Sequence, residues 1–290
     1  MTHRPRCSVL YMPGANARAL EKAKTLDADA LILDLEDSVA TDRKAGARQT
    51  VRGMLAARKP GQLCYVRINA LDTGLALADL AAVMPSAPDG IVLPKCEGAK
   101  DVNHLATYLD AFEAAFGLAH GTTRIVVVAT ETARAVLKLH DFEGASPRLW
   151  GMTWGAEDLA ASLGASRNRV DGRYTGPFLL ARDLCLVSAA SIGVVAIDAV
   201  YTDIDNLDGL KEETIAARCD GFMAKTLIHP KHVDIVNAAL TPTADEVAWA
   251  TQVVRAFEEA PASGVVRIDG RMIDKPHLVA ARKVLAMAGR

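Results

Sequence analysis

The feature that most constrains the fold is an eightfold alternation of short apolar runs with longer segments of helical periodicity. Most of the runs are apolar at consecutive positions, which is typical of parallel strands covered on both faces. The predicted strands are residues 8–12, 30–33, 64–68, 90–93, 124–129, 149–153, 196–199 and 221–224. The helical segments between them include residues 16–26, 43–57, 100–116 and 176–192. Eight strand–helix units in 290 residues predict an α/β protein with a (β/α)8 TIM barrel.

The alternation ends near Leu240, and a different pattern follows. A helix, a strand or turn, and a second helix are predicted at residues 243–259, 265–269 and 276–288. We therefore predict a TIM-barrel catalytic domain of residues 1–240 and a C-terminal helical extension of residues 241–290. Because a barrel is complete without such an extension, the extension is expected to cap the barrel or to pack on a neighbouring subunit.

The charge balance and the cysteines predict a cytoplasmic protein without nucleic-acid or membrane partners. The 33 basic and 35 acidic side chains give a net charge of −2, without the basic excess typical of nucleic-acid-binding proteins. No apolar run approaches the ~20 residues that span a bilayer, and the N-terminus lacks the apolar core of a signal peptide. Neither disulfides nor a zinc site are predicted, since the five cysteines are scattered at Cys7, Cys64, Cys96, Cys185 and Cys219.

Polar side chains follow nearly every predicted strand, at the point where the strand ends. Because the C-terminal ends of barrel strands carry the catalytic loops, we expect these side chains to surround one site. They include Asp34, Glu36, Asp37, Arg67, Lys95, Glu131, Glu157, Asp158, Asp198 and Lys225. Charges at so many strand ends are difficult to explain by solubility alone.

Carboxylates that are brought together at strand ends repel unless a proton or a cation separates them. Oxygen ligands without cysteine favour a hard ion, so Mg²⁺, with Mn²⁺ as a substitute, is preferred over zinc. Such an ion can hold an α-keto acid through its carboxylate and carbonyl oxygens and act as a Lewis acid. The pattern favours an enolate-forming reaction but does not identify the reaction.

The strand-end residues lie in segments that resemble a known family. The segments are LYMPGANARALEKA, ADALILDLEDSVATDRKAGAR, VRIN, GIVLPKCE, ETARAVL, WGAEDLAASLGA, AIDAVYTDIDNLDGL and IHPKHVDIVN. Together and in this order, from about Val9 to the final helix, they resemble the HpcH/HpaI aldolase–citrate lyase family. Within it, the chain is most similar to the citrate lyase β-subunit-like branch, which includes malyl-CoA and citramalyl-CoA lyases.

The resemblance implies roles for individual residues. Glu131 and Asp158 would bind Mg²⁺, with water completing the coordination, although Glu157 competes with Asp158 for this role. Glu131 would thereby also contact the substrate. Arg67 would hold the carboxylate or keto oxygen of the substrate.

The loop after the second strand helps to choose between branches of the family. Glu36 and Asp37 would act in catalysis by orienting water and Arg67. Relatives that cleave free hydroxy-keto acids resemble Glu-His at this point, so the Glu-Asp pair favours a thioester substrate.

A catalytic aspartate of such thioester lyases comes from the C-terminal segment of an adjacent subunit. The segment DGRMIDKPHL resembles it and makes Asp274 the candidate. An aspartate directly before Lys275-Pro276 is also a common helix N-cap, so that alternative stays open. The resemblance implies a homo-oligomer, either a trimer or a dimer of trimers.

Two further groups are candidates for substrate binding. Arg18, Lys22 and Lys24 form a cationic helix face that would contact the phosphates of coenzyme A, or would simply be solvated. Pro13 and Gly14 suit a loop that closely approaches a ligand, or an ordinary turn.

The expected function is Mg²⁺-dependent carbon–carbon cleavage, or formation, of a 3-hydroxyacyl-CoA such as malyl-CoA, methylmalyl-CoA or citramalyl-CoA. The products would be glyoxylate or pyruvate and an acyl-CoA, whose enolate Asp274 would protonate. Three alternatives stay open: a malyl-CoA thioesterase, a citrate lyase β-subunit acting on an acyl-carrier-protein thioester, and a non-catalytic CoA-ester-binding barrel.

Overall fold

A closed barrel of eight parallel strands forms the centre of the computed structural model, which describes residues 8–289. The predicted TIM barrel is therefore confirmed. The barrel strands are β1 (Ser8–Pro13), β2 (Ala30–Asp34), β3 (Leu63–Arg67), β4 (Gly90–Leu93), β5 (Arg124–Val128), β6 (Leu149–Thr153), β9 (Val195–Asp198) and β10 (Ala224–Leu227). Residues 1–7, which include Cys7, lie outside the described residues. The other four cysteines are free thiols.

Helices connect consecutive barrel strands and cover the outside of the barrel. They are α1 (Ala17–Ala23), α2 (Lys44–Ala56), α3 (Ala76–Val83), α4 (Ala99–Phe116), α5 (Ala133–Leu137), α6 (Ala156–Leu163), α7 (Gly176–Ile192), α8 (Leu207–Asp220) and α9 (Val233–Leu240). The connection after β6 is the longest, because α6 and α7 are separated by a small hairpin of β7 (Arg169–Val170) and β8 (Arg173–Tyr174). This hairpin was not predicted from the sequence.

The core has two layers, as the consecutive apolar residues of the strands predict. Alternate residues such as Leu31 and Leu33 pack outward against the helices, while Ile32 between them points into the barrel. Burying one such side chain stabilises the fold by about 1.5–3 kcal/mol. Inside the barrel, Tyr65 stacks on Trp150 with ring centroids 5.9 Å apart.

The prediction of the eighth strand at residues 221–224 was wrong. The strand, β10, begins at Ala224, three residues later than predicted. Gly221 ends α8 with a φ of 121°, and Phe222 is buried before the strand begins. The strand itself contains Lys225, which is fully buried. The predicted strand therefore covers the apolar residues before β10 and omits the charged Lys225 within it.

The C-terminal extension contains α10 (Ala244–Glu259), a hairpin of β11 (Val265–Ile268) and β12 (Arg271–Asp274), and α11 (Lys275–Met287). A strand or turn was predicted at residues 265–269, where β11 lies, whereas β12, which pairs with it, was not predicted. The extension has its own apolar cluster, formed by Ala250, Val253, Phe257, Ile268, Ile273 and Ala281. The boundary at residue 240 stays a prediction.

The extension contacts the barrel at the end of α8. Arg218 Nη1 lies 2.9 Å from Glu246 Oε1, and Lys283 Nζ donates to the Gly221 carbonyl oxygen over 3.4 Å. Gly221 leads into the N-terminal end of β10, so these contacts lie at the barrel face opposite the C-terminal strand ends. Within residues 8–289, no helix combines the length and apolarity that crossing a bilayer requires.

Candidate active site

A cleft of about 280 Å³ opens among the C-terminal ends of the barrel strands. One part of its wall is charged, and includes Asp34, Arg67, Glu131, Glu157 and Asp158. The other part is mostly apolar or aromatic, and includes Val128, Trp154, Tyr174, Ala199, Val200 and Ile228. The cleft can therefore hold a small molecule that has a charged end and a carbon chain.

Glu131 and Asp158 approach the cleft from successive strand ends. Glu131 follows β5 and is buried, whereas Asp158, in the first turn of α6, keeps 35% of its side chain exposed. Gly155 makes this arrangement possible, since a Cβ atom there would lie 2.9 Å from Glu131 Cγ. Lys95 links the pair: its backbone N–H donates to Glu131 Oε2, and its Nζ lies 3.4 Å from Asp158 Oδ1.

The electrostatics of Glu131 fit a cation-binding carboxylate. Burial and the neighbouring carboxylates of Asp158 and Glu36 raise the pKa of Glu131 to about 8, although the N–H of Lys95 opposes the shift. The buried Thr153 Oγ1, on a residue that lines the cleft, has no hydrogen-bond partner within residues 8–289. Two carboxylates and an unsatisfied hydroxyl oxygen suit Mg²⁺, which commonly takes few protein ligands and keeps several water molecules.

Arg67 is held rigidly beside these carboxylates. Its Nε and Nη2 donate to Asp34 over 2.7 and 2.8 Å, and its guanidinium lies 4.9 Å from the centre of the Tyr11 ring. Burial favours neutral Asp34, but the hydrogen bonds and charge of Arg67 outweigh it and lower the pKa of that carboxyl group. No role was predicted for Asp34 from the sequence, although it ends β2 and is the register partner of Arg67 on β3.

Glu36 and Asp37 differ in their surroundings. Glu36 is buried, and its Oε1 accepts from Lys95 Nζ over 2.6 Å, while Oε2 lies 3.0 Å from Arg67 Nη1 without hydrogen-bond geometry. Asp37 is exposed, with Oδ2 at 3.9 Å from Lys95 Nζ and 4.0 Å from Arg67 Nη1. Both lie beside Arg67, but Glu36 alone is buried between the two cations.

Lys95 contacts the carboxylates of the site through both its backbone and its side chain. It adopts a φ of 51°, a left-handed conformation that a residue with a side chain adopts at some cost. This conformation accompanies its backbone donation to Glu131 and its side-chain contacts with Glu36 and Asp158. A positive φ is not visible in a sequence at a non-glycine position, so this role could not be predicted.

Asp274 lies outside the cleft of its own chain. It is the N-cap residue of α11, its Oδ1 lies 2.5 Å from His277 Nδ1, and its side chain is 42% exposed. The N-cap alternative describes its place in the fold. A role in this chain's own cleft has no geometric support, because the extension contacts the opposite face of the barrel.

The remaining candidates have mixed placements. Pro13 lines the cleft, whereas Gly14 is buried and lets its loop pack against the Asp34 backbone, where a Cβ atom would clash with the carbonyl oxygen. Arg18 and Lys22 are exposed on α1. Lys24 pairs with Glu21, with Nζ 2.6 Å from Oε2.

Glu157 and Asp158 have different contacts, although both line the cleft. Glu157 is exposed, and its Oε1 accepts from Asn168 Nδ2 over 2.8 Å, so this carboxylate holds the β7–β8 hairpin. Asp158 instead faces Lys95 and Glu131. This difference favours Asp158 as the metal ligand.

A second group of possible ligands, Asp110, Glu113 and His120, is already neutralised. Arg148 Nη2 lies 2.5 Å from Asp110 Oδ1 and 2.6 Å from Glu113 Oε2. Burial opposes ionisation of Glu113, but the hydrogen bond from Arg148 prevails and lowers its pKa to about 2. This cluster is a structural ion pair.

Comparison with known proteins gives consistent matches along the chain. Residues 7–230 match the sequence model of the family described as HpcH/HpaI aldolase/citrate lyase. The (3S)-malyl-CoA thioesterase of Cereibacter sphaeroides strain KD131 is 38% identical over 287 residues, covering 98% of this chain and 95% of the relative. The citrate lyase subunit beta of Escherichia coli strain K12 is 36% identical over 288 residues, covering 98% and 94%. The solved structure of CitE from Mycobacterium tuberculosis in complex with magnesium, acetoacetate and coenzyme A has a TM-score of 0.82 and 34% identity, with 100% of each chain covered.

Proposed function

Since the chain belongs to the HpcH/HpaI aldolase/citrate lyase family, we propose that it is a Mg²⁺-dependent carbon–carbon lyase acting on a short 3-hydroxyacyl-CoA. The substrate would be malyl-CoA, methylmalyl-CoA or citramalyl-CoA, and the products glyoxylate or pyruvate and an acyl-CoA. The observation that carries this proposal is the convergence of Glu131 and Asp158 beside Arg67 in one cleft. These groups match the charged end of such a substrate, and the apolar wall matches its carbon chain.

Glu131 and Asp158 would hold the ion, in keeping with the magnesium in the similar CitE structure. Bound Mg²⁺ would supply Lewis-acid stabilisation of negative charge on the oxygens of the hydroxy acid. Glu131 must lose its proton to serve as a ligand. Lys95 would keep the two carboxylates in place through its backbone and side-chain contacts.

Arg67 would bind the carboxylate or keto oxygen of the substrate. Asp34 uses Nε and Nη2 of the guanidinium, so the Nη1 side remains directed toward Glu36 and the charged part of the site. A guanidinium that is already fixed by a bidentate contact loses little conformational freedom when the substrate binds. It can therefore stabilise charge that develops on the keto-acid fragment.

The proton on the acyl-CoA carbon would be handled by a group from outside this chain's barrel. We infer that Asp274 of a neighbouring subunit protonates the enolate, or removes the same proton in the condensation direction. The support is its half-exposed position on an extension that contacts the barrel face opposite its own cleft. The enzyme would then be a homo-oligomer, such as a trimer or a dimer of trimers.

The coenzyme A part of the substrate would extend across the barrel mouth toward α1. Arg18 and Lys22 are exposed there and would contact its phosphates. Lys22 is also close enough to His229, which follows β10, to lower the pKa of that imidazole, after the larger effects of partial burial, Lys231 and His232. The cationic face therefore borders the loops of the barrel mouth.

Thioester hydrolysis is the alternative with specific support, because the (3S)-malyl-CoA thioesterase is 38% identical over nearly the whole chain. The same cleft would bind the malyl thioester, and water would attack the thioester carbonyl. If the protein were a citrate lyase β-subunit, it would be active only with an acyl-carrier-protein thioester. If it were a non-catalytic barrel, it would bind the thioester without turnover.

One assay separates these functions. Purified protein is incubated with malyl-CoA or citramalyl-CoA, with Mg²⁺ or with EDTA, and the products are resolved chromatographically. A lyase releases keto acid and acyl-CoA in equal amounts, whereas a thioesterase releases free coenzyme A and hydroxy acid. We expect lyase products that EDTA abolishes. Asp158→Asn should lose activity and Glu157→Gln should keep most of it, and the reverse pattern would contradict the assigned ligands.

The role of Asp274 is tested by mixing variants. Asp274→Asn and Glu131→Gln should each be inactive alone as homo-oligomers. If the sites combine residues from two subunits, dissociating and reassembling the two variants together restores part of the activity. Absence of any recovery in verified mixed oligomers would contradict the shared site.

A further inference from the structure

The apolar wall of the cleft is built around two aromatic side chains, Trp154 and Tyr174. Their rings meet edge to face, with centroids 4.8 Å apart and planes at 68°. Trp154 follows β6, and Tyr174 ends β8 in the small hairpin. Both are buried and both line the cleft together with Val128 and Ala199, so their positions shape its apolar side.

Trp154 is fixed from behind by buried charges. Its indole Nε1 donates to Asp198 Oδ1 over 2.8 Å, and Asp198 Oδ2 lies 2.6 Å from Lys225 Nζ. Lys225 is fully buried and Asp198 is 2% exposed. Buried ion pairs demand accurate geometry because desolvation is costly, so this contact restricts the position of the indole.

Tyr174 is held in place by Arg169, which is linked to Lys225 through Glu213. Lys225 Nζ also lies 3.1 Å from Glu213 Oε1, and the other oxygen of Glu213 lies 2.6 Å from Arg169 Nη1. The Arg169 guanidinium in turn covers the Tyr174 ring, 3.6 Å from its centre. Six side chains thus form a closed ring of contacts: Trp154, Asp198, Lys225, Glu213, Arg169 and Tyr174.

The ring also fixes the hairpin to the barrel. Arg169 Nη1 donates to the Gly172 carbonyl oxygen over 2.8 Å, which stabilises the hairpin turn. Arg169 pairs with Tyr174 across the hairpin, and Asn168 is bonded to Glu157. Loss of the Arg169 guanidinium would therefore free Tyr174 and remove one of the two cations that Glu213 contacts.

We propose that this ring is a positioning device that sets the affinity of the cleft for the carbon chain of its organic substrate, separately from its affinity for the divalent ion. Arg169 is the positioning residue that closes the ring. The identity of the substrate rests on the function proposed above, but the ring itself does not. Trp154 and Tyr174 face the cleft, whereas the four charged members lie behind them and act through them.

Arg169→Met tests the proposal, because methionine keeps much of the apolar stem but removes the charge. The matched control is Arg173→Met, an exposed arginine of the same hairpin. With the thioester substrate, we expect KM to rise about tenfold in Arg169→Met, which corresponds to about 1.4 kcal/mol of substrate binding. The value of kcat and the Mg²⁺ dissociation constant from titration calorimetry should change less than twofold. Arg173→Met should resemble the wild type, and Arg169→Lys should recover part of the affinity.

A binding experiment tests the proposed role of the ring even if the protein turns over no thioester. Pyruvate is titrated into the Mg²⁺-loaded wild type and variants, and hydrogen exchange is measured across residues 169–174. Weaker pyruvate binding and faster exchange in Arg169→Met support the ring even where the proposed lyase function fails. Unchanged KM and pyruvate affinity, or an equal loss of Mg²⁺ affinity, overturn it. Glu213→Gln opens the ring from the other side and decides the outcome if Arg169→Met does not fold.

Discussion

The elevated pKa of Glu131 gives a quantitative prediction for metal-free protein. With a folded-state pKa of about 8 and an ordinary value of 4.5, folded protein binds this proton between those two pH values while unfolded protein releases it. The free energy of unfolding therefore falls as pH rises through this window, by about 1.4 kcal/mol per unit. Relative to its value below pH 4.5, the free energy of unfolding is lower by about 3 kcal/mol at pH 7 because of Glu131. The loss reaches about 5 kcal/mol above pH 8 and then stays constant.

The assay is thermal unfolding from pH 6 to pH 9 in EDTA and in saturating Mg²⁺. For a chain of this length, the two pH units below pH 8 should lower Tm by about 4–5 °C in EDTA. Mg²⁺ should remove this decline, because the bound ion keeps Glu131 ionised across the range. Glu131→Gln should remove it without Mg²⁺, and the control Glu157→Gln should retain it because Glu157 is exposed. An identical decline in wild type and Glu131→Gln would refute the reasoning.

Three further predictions concern groups around the cleft. Gly155→Ala should weaken Mg²⁺ binding about tenfold by calorimetry, because the new Cβ atom displaces Glu131. The control Gly46→Ala adds a Cβ atom in open space and should leave the affinity unchanged. Equal Mg²⁺ affinities in the two variants would contradict a close contact between residue 155 and Glu131. Asp34→Asn should lower the free energy of unfolding in urea by about 3 kcal/mol, since it removes the charge that binds the half-buried Arg67 through two hydrogen bonds. An unchanged midpoint would contradict this reasoning. Replacing both Arg18 and Lys22 by Gln should raise KM for the thioester and weaken the salt dependence of KM, while kcat stays constant. An unaltered salt dependence would show that these two side chains do not contact the phosphates of coenzyme A.

The barrel was predictable because its strands have no polar face. Each barrel strand is buried by helices outside and side chains inside, so consecutive apolar residues reveal it without any long-range information. The same criterion failed at β10, where Lys225 is buried in the ion pair with Asp198. A buried charge is recognisable only once its partner is known, and that partner lies on another strand.

The charged side of the site was partly predictable for a similar reason. Residues at strand ends converge in any such barrel, which brought Arg67, Glu131 and Asp158 into one cleft. Asp34 could have been found by noting that it ends the strand next to Arg67. The left-handed backbone of Lys95 could not, since it depends on the packing of a loop.

The apolar side of the site was not predicted at all. The hairpin strands β7 and β8 have two residues each, too short for any periodicity. Tyr174 reaches the cleft because Arg169 and Glu213, far apart in sequence, hold the hairpin against the barrel. Contacts of this kind arise from tertiary packing.

The central claim is that Glu131 and Asp158 together hold a divalent ion in the cleft. The most direct measurement is a crystal structure grown with Mn²⁺ and pyruvate, with an anomalous difference map locating the metal. The account predicts one strong peak about 2.0–2.3 Å from an oxygen of each carboxylate, with pyruvate beside it. A cleft without an anomalous peak, or a peak held by other side chains, would contradict it.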